Sequence, residues 1–203
     1  MTIALIDYGA GNLASVRKAF AAIGAPLTDV ACPADLGRAG GIVIPGVGHF
    51  DATAPLQTGW KEAIARRAAE SAAILGICLG MQWLFEGSEE SSVVSGLGWF
   101  RGRCLRLTGD VKVPHVGWNS LNDISPRSRL LTGITGGASM YFTHAYAAPA
   151  TPAAAARTTH GTTFVSVVER GRVFGTQGHP EKSGGTGLRL LSNFAALARE
   201  RSC

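Results

Sequence analysis

The most constraining stretch of this chain is Ala72-Ala-Ile-Leu-Gly-Ile-Cys-Leu-Gly-Met-Gln82. A short apolar run leads into Gly76-x-Cys78-x-Gly80 and then into a helix-like segment. A side chain held between two glycines at a strand-to-helix reversal describes a nucleophile elbow, here with sulfur in place of a hydroxyl. The reversal is so tight that little but glycine fits beside the nucleophile. The thiol then stands at the start of a helix, where unpaired N–H groups favour negative charge. Such a turn needs a buried strand before it and a helix behind it, which points to an α/β fold.

The pattern around the elbow agrees. Thr2 to Asp7 predicts a buried strand and Gly9-Ala-Gly11-Asn12 a turn. Leu13, Val16, Phe20 and Ile23 mark one face of a helix that Gly24 ends. Leu27 to Val30 and Gly41 to Pro45 predict further strands, Gly46-Val-Gly48 a loop, Trp60 to Ala69 a helix, and Ala72 to Ile77 the strand before the cysteine. Strands joined by helices at this spacing imply a doubly wound, mostly parallel sheet with helices on both faces, flavodoxin-like. Right-handed crossovers bring the loops after Asp7, Ile44 and Ile77 to one edge. Beyond Val93 the pattern changes: Trp99 to Leu107 and Val111 to Val116 alternate apolar with polar, which predicts a smaller mixed or antiparallel sheet region, and Met140 to Tyr146, Thr162 to Val168 and Arg172 to Thr176 are further short strands. The Ala/Pro-rich Ala147 to Ala156 reads as an exposed loop, and Gly187 to Glu200 as a well-buried helix. No repeat and no linker interrupts residues 1–203, so one domain is expected.

Composition narrows the function classes. With 46% hydrophobic and 16% charged residues the chain is globular rather than disordered. No apolar run spans a bilayer, and Met1-Thr-Ile-Ala-Leu-Ile-Asp7 lacks the marks of a signal peptide, so a cytoplasmic protein is expected. The formal charge of +5 comes from dispersed arginines (Arg17, Arg66, Arg67, Arg189, Arg199, Arg201) expected on solvated faces. Without a basic run interleaved with aromatics, neither nucleic acid nor membrane is an expected partner. Cys32, Cys104 and Cys203 form no Cys-x-x-Cys pair with Cys78 or each other; Cys32 and Cys104 read as small buried hydrophobes and Cys203 as a terminal thiol. No metal site or cofactor is implied.

Gly178-His179-Pro180-Glu181 supplies a base and an acid to orient it. Pro180 fixes the backbone between them, and the strand before them should end at the same sheet edge as the elbow. Alone, this tetrapeptide reads as a surface histidine beside an ion pair. With the elbow it completes a Cys78-His179-Glu181 triad for acyl transfer. Pro45-Gly46-Val47-Gly48 is a candidate oxyanion device with the Leu79 amide as a second donor, and Gln82 sits one helical turn after the sulfur.

These segments, with Asp7-Tyr-Gly-Ala-Gly-Asn12, Pro114-His-Val-Gly-Trp-Asn119, Tyr141-Phe-Thr-His-Ala-Tyr146 and His179-Pro-Glu-Lys-Ser183, resemble the class I (triad) glutamine amidotransferases. Within that class the chain is similar to the glutaminase subunits of imidazole glycerol phosphate synthases, of histidine biosynthesis. The resemblance implies glutamine hydrolysis by Cys78, His179 and Glu181. It places Gly46, Val47, Gly48 and Leu79 at the oxyanion and substrate backbone, and Gln82, Ala145 and Tyr146 near the glutamine. It further implies a heterodimer with a (β/α)8-barrel cyclase that consumes the ammonia, contacted through Asn12, Trp118 and Lys182. Other readings are a glutaminase of another synthase, such as that of pyridoxal phosphate, and a non-enzymatic DJ-1/PfpI-like stress protein. Pro114 to Asn119 speaks against the first and His-Pro-Glu against the second. One departure stands out: the family usually carries an aromatic residue where this chain has Gly178, so either another side chain fills that space or His179 is held less firmly.

Overall fold

The structure, a computed structural model, describes residues 2–200. Its first half is built from strands of four or five residues: β1 (Ile3–Ile6), β2 (Leu27–Val30), β3 (Gly41–Ile44) and β4 (Ala73–Ile77). β1, β3 and β4 are buried at every position, which requires cover on both faces. The helices that provide it are α1 (Leu13–Ala22), α2 (Trp60–Ala69) and, from the far end of the chain, α4 (Gly184–Arg199). The five-residue α3 (Leu79–Trp83) follows the elbow.

After α3 the chain becomes predominantly strand: β5 (Phe85–Ser88), β6 (Phe100–Arg106), β7 (His115–Leu121), β8 (Ala138–His144), β9 (Tyr146–Ala147), β10 (Ala154–His160), β11 (Thr162–Arg170) and β12 (Val173–Thr176). The central sheet has seven strands in the order β10-β11-β12-β4-β3-β1-β2. β12, β4, β3, β1 and β2 run parallel, and β11 and β10 close one side as antiparallel strands. Two small sheets, β5-β6-β9 and the β7-β8 hairpin, flank it. This is the mostly parallel, two-sided α/β sheet that the strand and helix spacing implies.

Alternation along each strand assigns its residues to two cores. Ile3, Leu5, Val43, Leu75 and Ile77 meet Val16 and Phe20 of α1 and Leu190, Leu191 and Phe194 of α4. Ala4, Ile6, Ile42, Ile44 and Ile74 meet Trp60 and Ile64 of α2, with Leu56 and Trp83. Phe20 and Phe194 pack edge to face at 6.3 Å between ring centroids. Each large side chain buried this way contributes about 1.5–3 kcal/mol, so the sheet is an anchored platform for whatever its loops carry. α1 begins where Asn12 Oδ1 accepts the Ser15 N–H at 3.2 Å and is followed by Gly24 at φ +68°.

Some sequence expectations need correction. Ala147 to Ala156 is not an exposed loop throughout: Ala147 pairs with Leu105, Ala154 begins β10, and Ala147, Ala148, Ala155 and Ala156 are buried. The small side chains let strands approach closely, and only 149–153 connects them. The strand expected over Val111 to Val116 is formed only at its end: 111–114 are not strand, and β7 starts at His115, after Pro114, which has no N–H to give a ladder. Cys32 is exposed beyond the edge strand β2, whereas Cys104 is buried as expected. Cys203 and Arg201 lie outside the described residues. Arg67 is buried rather than solvated, its Nη2 donating to the Ala39 carbonyl at 2.7 Å and its Nη1 pairing with Glu70.

The elbow glycines are fixed by space. A Cβ on Gly76 would lie 2.6 Å from the Gly80 carbonyl oxygen, and one on Gly80 would lie 1.9 Å from that of Ile44. Gly76→Ala is therefore expected to lower stability by about 3 kcal/mol or more, against within about 0.5 kcal/mol for Gly136→Ala. An added Cβ at Gly136 meets nothing within 4 Å. Urea midpoints of the two variants check this; equal midpoints would contradict it.

Candidate active site

The parallel strands set the geometry. Ile77 at the end of β4 is in register with Thr176 at the end of β12, and Ile44 of β3 with Gly76, so three chain reversals leave one edge side by side. The Cys78 N–H donates to the Thr176 carbonyl at 2.7 Å, closing β4 onto β12 at that edge. Cys78 then turns at φ +51°, ψ −106°, outside the regions a side-chain-bearing residue prefers. Such strain costs about 1–3 kcal/mol and persists only where the surroundings enforce it.

His179 follows β12 and is fixed twice through its backbone. Its N–H donates to the Tyr141 carbonyl at 2.8 Å, and the Ser183 hydroxyl donates to its carbonyl at 2.6 Å. Its Nδ1 meets Glu181 Oε1 at 2.7 Å, with both side chains out of solvent. Among the described residues Nε2 has no hydrogen-bond partner, although the neighbouring Cys78 acts strongly on the ring. Burial on its own would lower the imidazole pKa. The charge and contact of Cys78, then Glu181, overcome burial and hold it up at about 10. His179 thus faces sulfur on one side and carboxylate on the other, and both favour its protonated form.

Gly178 is compensated. A Cβ there would lie 2.9 Å from Met140 Cγ and 3.0 Å from its Sδ, so the Met140 side chain fills the space beside the base. Sequence reasoning raised the gap but not its filler, because Met140 lies on β8, far from position 178 in the chain.

The sulfur faces a cleft lined by Gly48, Cys78, Leu79, Gln82, Glu90, Thr143, His144, Ala145 and Tyr146. Of the sequence candidates, Gly48, Leu79, Gln82, Ala145 and Tyr146 thus share a cleft with Cys78. Gly46 lies beneath it, packed so that a Cβ would fall 2.6 Å from the Tyr8 hydroxyl, while Val47 is partly exposed. The Leu79 N–H is the first of α3 and has no intrahelical acceptor. Both N–H groups of Gln82 are engaged, with the Tyr146 carbonyl at 2.8 Å and Gln177 Oε1 at 3.2 Å.

Three further residues escaped sequence reasoning. Gln177 Nε2 donates to the Cys78 sulfur at 3.6 Å from a fully buried position. Tyr8 donates to the Pro45 carbonyl at 2.7 Å, pinning the loop after β3, and burial pushes its phenol pKa up. Glu90 accepts the Phe50 N–H at 2.8 Å at the rim of the cleft. Tyr8 sits inside the Asp7-to-Asn12 motif, which was its only signal; Gln177, just before Gly178-His179-Pro180-Glu181, and Glu90 had none.

The interface candidates lie on the surface. Trp118 is 59% exposed, so it is not a core aromatic, and its ring meets Tyr141 edge to face at 6.0 Å. Lys182 Nζ lies 5.8 Å from the centre of the same Tyr141 ring. Asn12, exposed at the start of α1, is occupied as a helix cap, and α1 packs beside the 180–182 turn.

Comparison with known proteins agrees with this geometry. The glutamine amidotransferase class-I family matches residues 4–197. The imidazole glycerol phosphate synthase subunit HisH of Moorella thermoacetica is 44% identical over 97% of this chain and 95% of its own. That of Geobacillus kaustophilus is 43% identical over 98% of each. Among solved structures, a glutamine amidotransferase superposes with a TM-score of 0.77 at 19% identity, covering 98% of this chain and 99% of the other. PurLQS from Thermotoga maritima gives 0.73 at 18%, covering 95% and 96%. The chain belongs to the class I glutamine amidotransferases. Within them it belongs to the family of HisH subunits of imidazole glycerol phosphate synthase.

Two outcomes test the site. Because the folded pKa of His179 is raised above its ordinary 6.5, its pairing stabilises the fold fully below about pH 6.5 and is lost as pH rises through about 10. Glu181→Gln removes one of the two groups that raise the His179 pKa, so its titration observed by NMR is expected to move down; an unmoved titration would contradict the pairing. Gly178→Ala should cost more in wild type than in a Met140→Ala background, with a coupling of about 0.5–3 kcal/mol. Additive effects on the urea midpoint would leave Met140 without the packing role.

Proposed function

We infer that this chain is the glutaminase subunit of an imidazole glycerol phosphate synthase, releasing ammonia from glutamine for a cyclase subunit in histidine biosynthesis. The observation that carries the reading is the near-full-length match to HisH subunits, joined to a sulfur, imidazole and carboxylate gathered at one sheet edge.

The chemistry follows from the geometry. Cys78 Sγ attacks the side-chain amide carbon of glutamine, and the carbonyl oxygen takes up negative charge. The Leu79 N–H and an amide of the Gly46-Val47-Gly48 loop receive that oxyanion. The proton on His179 passes to the leaving nitrogen, which departs as ammonia and leaves a γ-glutamyl thioester. His179, now neutral and oriented by Glu181, removes a proton from water as it attacks the thioester; glutamate leaves and the thiolate returns. Glutamine and water become glutamate and ammonia, with no cofactor consumed. Glu90 and the Gln82 oxygen are placed to receive the α-ammonium, while Ala145 and Tyr146 line the amino-acid end.

The partner is a (β/α)8-barrel cyclase docking on the face that carries Trp118 and Lys182, with Asn12 at its border. A heterodimer in the cytoplasm fits this reading, and no described helix is long and apolar enough to cross a membrane. An aromatic anchor beside a cation, with the exposed Val116 on the same face of β7, is the composition of an interface hot spot.

Glutamate release, measured with and without the cyclase and its ribonucleotide ligand, tests the reading. Cys78→Ala is expected to reduce turnover by roughly 10⁴-fold or more while the complex still forms; undiminished hydrolysis would exclude the thioester route. Trp118→Ala is expected to weaken the complex by about tenfold or more in a titration against the cyclase. Unchanged affinity would remove Trp118 from the interface.

A further inference from the structure

The catalytic account leaves His115 and His144 unused, although both are buried and both belong to the motifs that mark the chain. Their hydrogen bonds form a sequence with only one consistent direction. His144 Nδ1 faces the Tyr146 carbonyl at 2.9 Å and must donate to it. Its Nε2, 3.2 Å from His115 Nδ1, is then the acceptor, so His115 carries its proton on Nδ1. His115 Nε2 is left to accept from Asn119 Nδ2 at 3.3 Å. Asn119 is fixed independently: its Oδ1 accepts the Ser120 N–H at 2.8 Å, and its Nδ2 also donates to the Thr159 carbonyl at 2.9 Å.

This order requires both rings to be neutral. Burial, with a smaller push from His160, lowers the His115 pKa to about 4, and burial above all lowers that of His144 to about 3. The ring of His160 stacks on His115 at 4.1 Å and keeps it in place. Among the described residues no cluster of three or more His, Cys, Asp or Glu is arranged to hold a metal ion, and the lone pairs of His115 and His144 already accept hydrogen bonds.

The path does not stop at Tyr146. Its carbonyl also accepts Gln82 Nε2 at 2.8 Å; Gln82 in turn donates to Gln177, and Gln177 donates to the Cys78 sulfur. Asn119 is the neighbour of Trp118 on β7. We propose that Asn119, His115 and His144 are positioning residues: their hydrogen bonds run one way to the Tyr146 carbonyl, where Gln82 meets them as a second donor and carries the path on through Gln177, so that the Cys78 sulfur is held from the strand that carries Trp118. The chain gives the nucleophile a fixed link to the exposed face. Its significance for ammonia release rests on the functional reading above; the link to the sulfur does not.

Two variants separate hydrogen bonding from packing. His115→Phe keeps a stacked ring and loses both bonds; His115→Gln keeps a donor and an acceptor and loses the ring. The rate of iodoacetamide alkylation at Cys78, resolved by peptide mass spectrometry in the full chain, is expected to fall about tenfold in His115→Phe, the scale of one lost hydrogen bond, and to stay within about twofold in His115→Gln. A wild-type rate in His115→Phe, or the same fall in both variants, would overturn the proposal. Asn119→Asp retains the acceptor for Ser120 and lacks the donor, so it gives a second reading if His115→Phe does not fold; it too should slow alkylation, and a wild-type rate would count against the chain. Histidine ¹⁵N spectra of the wild type should show both rings neutral with the proton on Nδ1, and a proton on Nε2 of His144 would break the stated order. Glutamate release in the cyclase complex should fall with alkylation in His115→Phe. If the wild-type complex releases no glutamate, the functional reading fails while the alkylation result still judges the chain.

Discussion

The site depends on one closure, the hydrogen bond from the Cys78 N–H to the Thr176 carbonyl. It joins the ends of two adjacent parallel strands immediately before each turns away, so the nucleophile and the segment carrying the base are held by the same ladder. The left-handed turn at Cys78 is possible because Gly76 and Gly80 leave room for backbone to pass backbone. The cost of that turn is met by the two apolar cores on either face of the sheet, not by contacts within the site. Rigid strands below and short loops above are what let three groups meet with no helix longer than α3 between them.

Around this closure the buried polar groups fall into two sets with different charge states. Cys78 and Glu181 raise the His179 pKa and favour its protonated form, whereas His115 and His144, a short distance along the same mixed region, are kept neutral by burial. Their separation suits acyl transfer. One imidazole must exchange its proton with substrate, and the others must hold theirs in order to orient carbonyls and amides.

Local order was legible in the sequence because its cause is local. The glycines at 76 and 80 announced the elbow, apolar runs of four or five residues announced the two-sided sheet, and Pro180 set His179 and Glu181 at hydrogen-bonding separation. What escaped depends on which distant strands become neighbours. Met140 fills the space beside Gly178 only because β8 lies across the end of β12. Gln177 reaches the sulfur only because β12 pairs with β4. The alanines of 147–156 looked like a solvated linker by composition, yet small side chains are also what closely packed strands accept. Arg67 looked like a surface charge until the Ala39 carbonyl supplied a buried acceptor.

Glutamine hydrolysis here requires that the Cys78 sulfur be the reactive thiol of the chain and that glutamine occupy the cleft beside it. The most direct measurement is labelling by a glutamine-like diazoketone, read by peptide mass spectrometry across all four cysteines, Cys32, Cys78, Cys104 and Cys203, with and without excess glutamine. The expected result is a single adduct at Cys78 that glutamine suppresses. Labelling of the exposed Cys32 in preference to Cys78, or labelling at Cys78 that glutamine leaves untouched, would contradict the central claim.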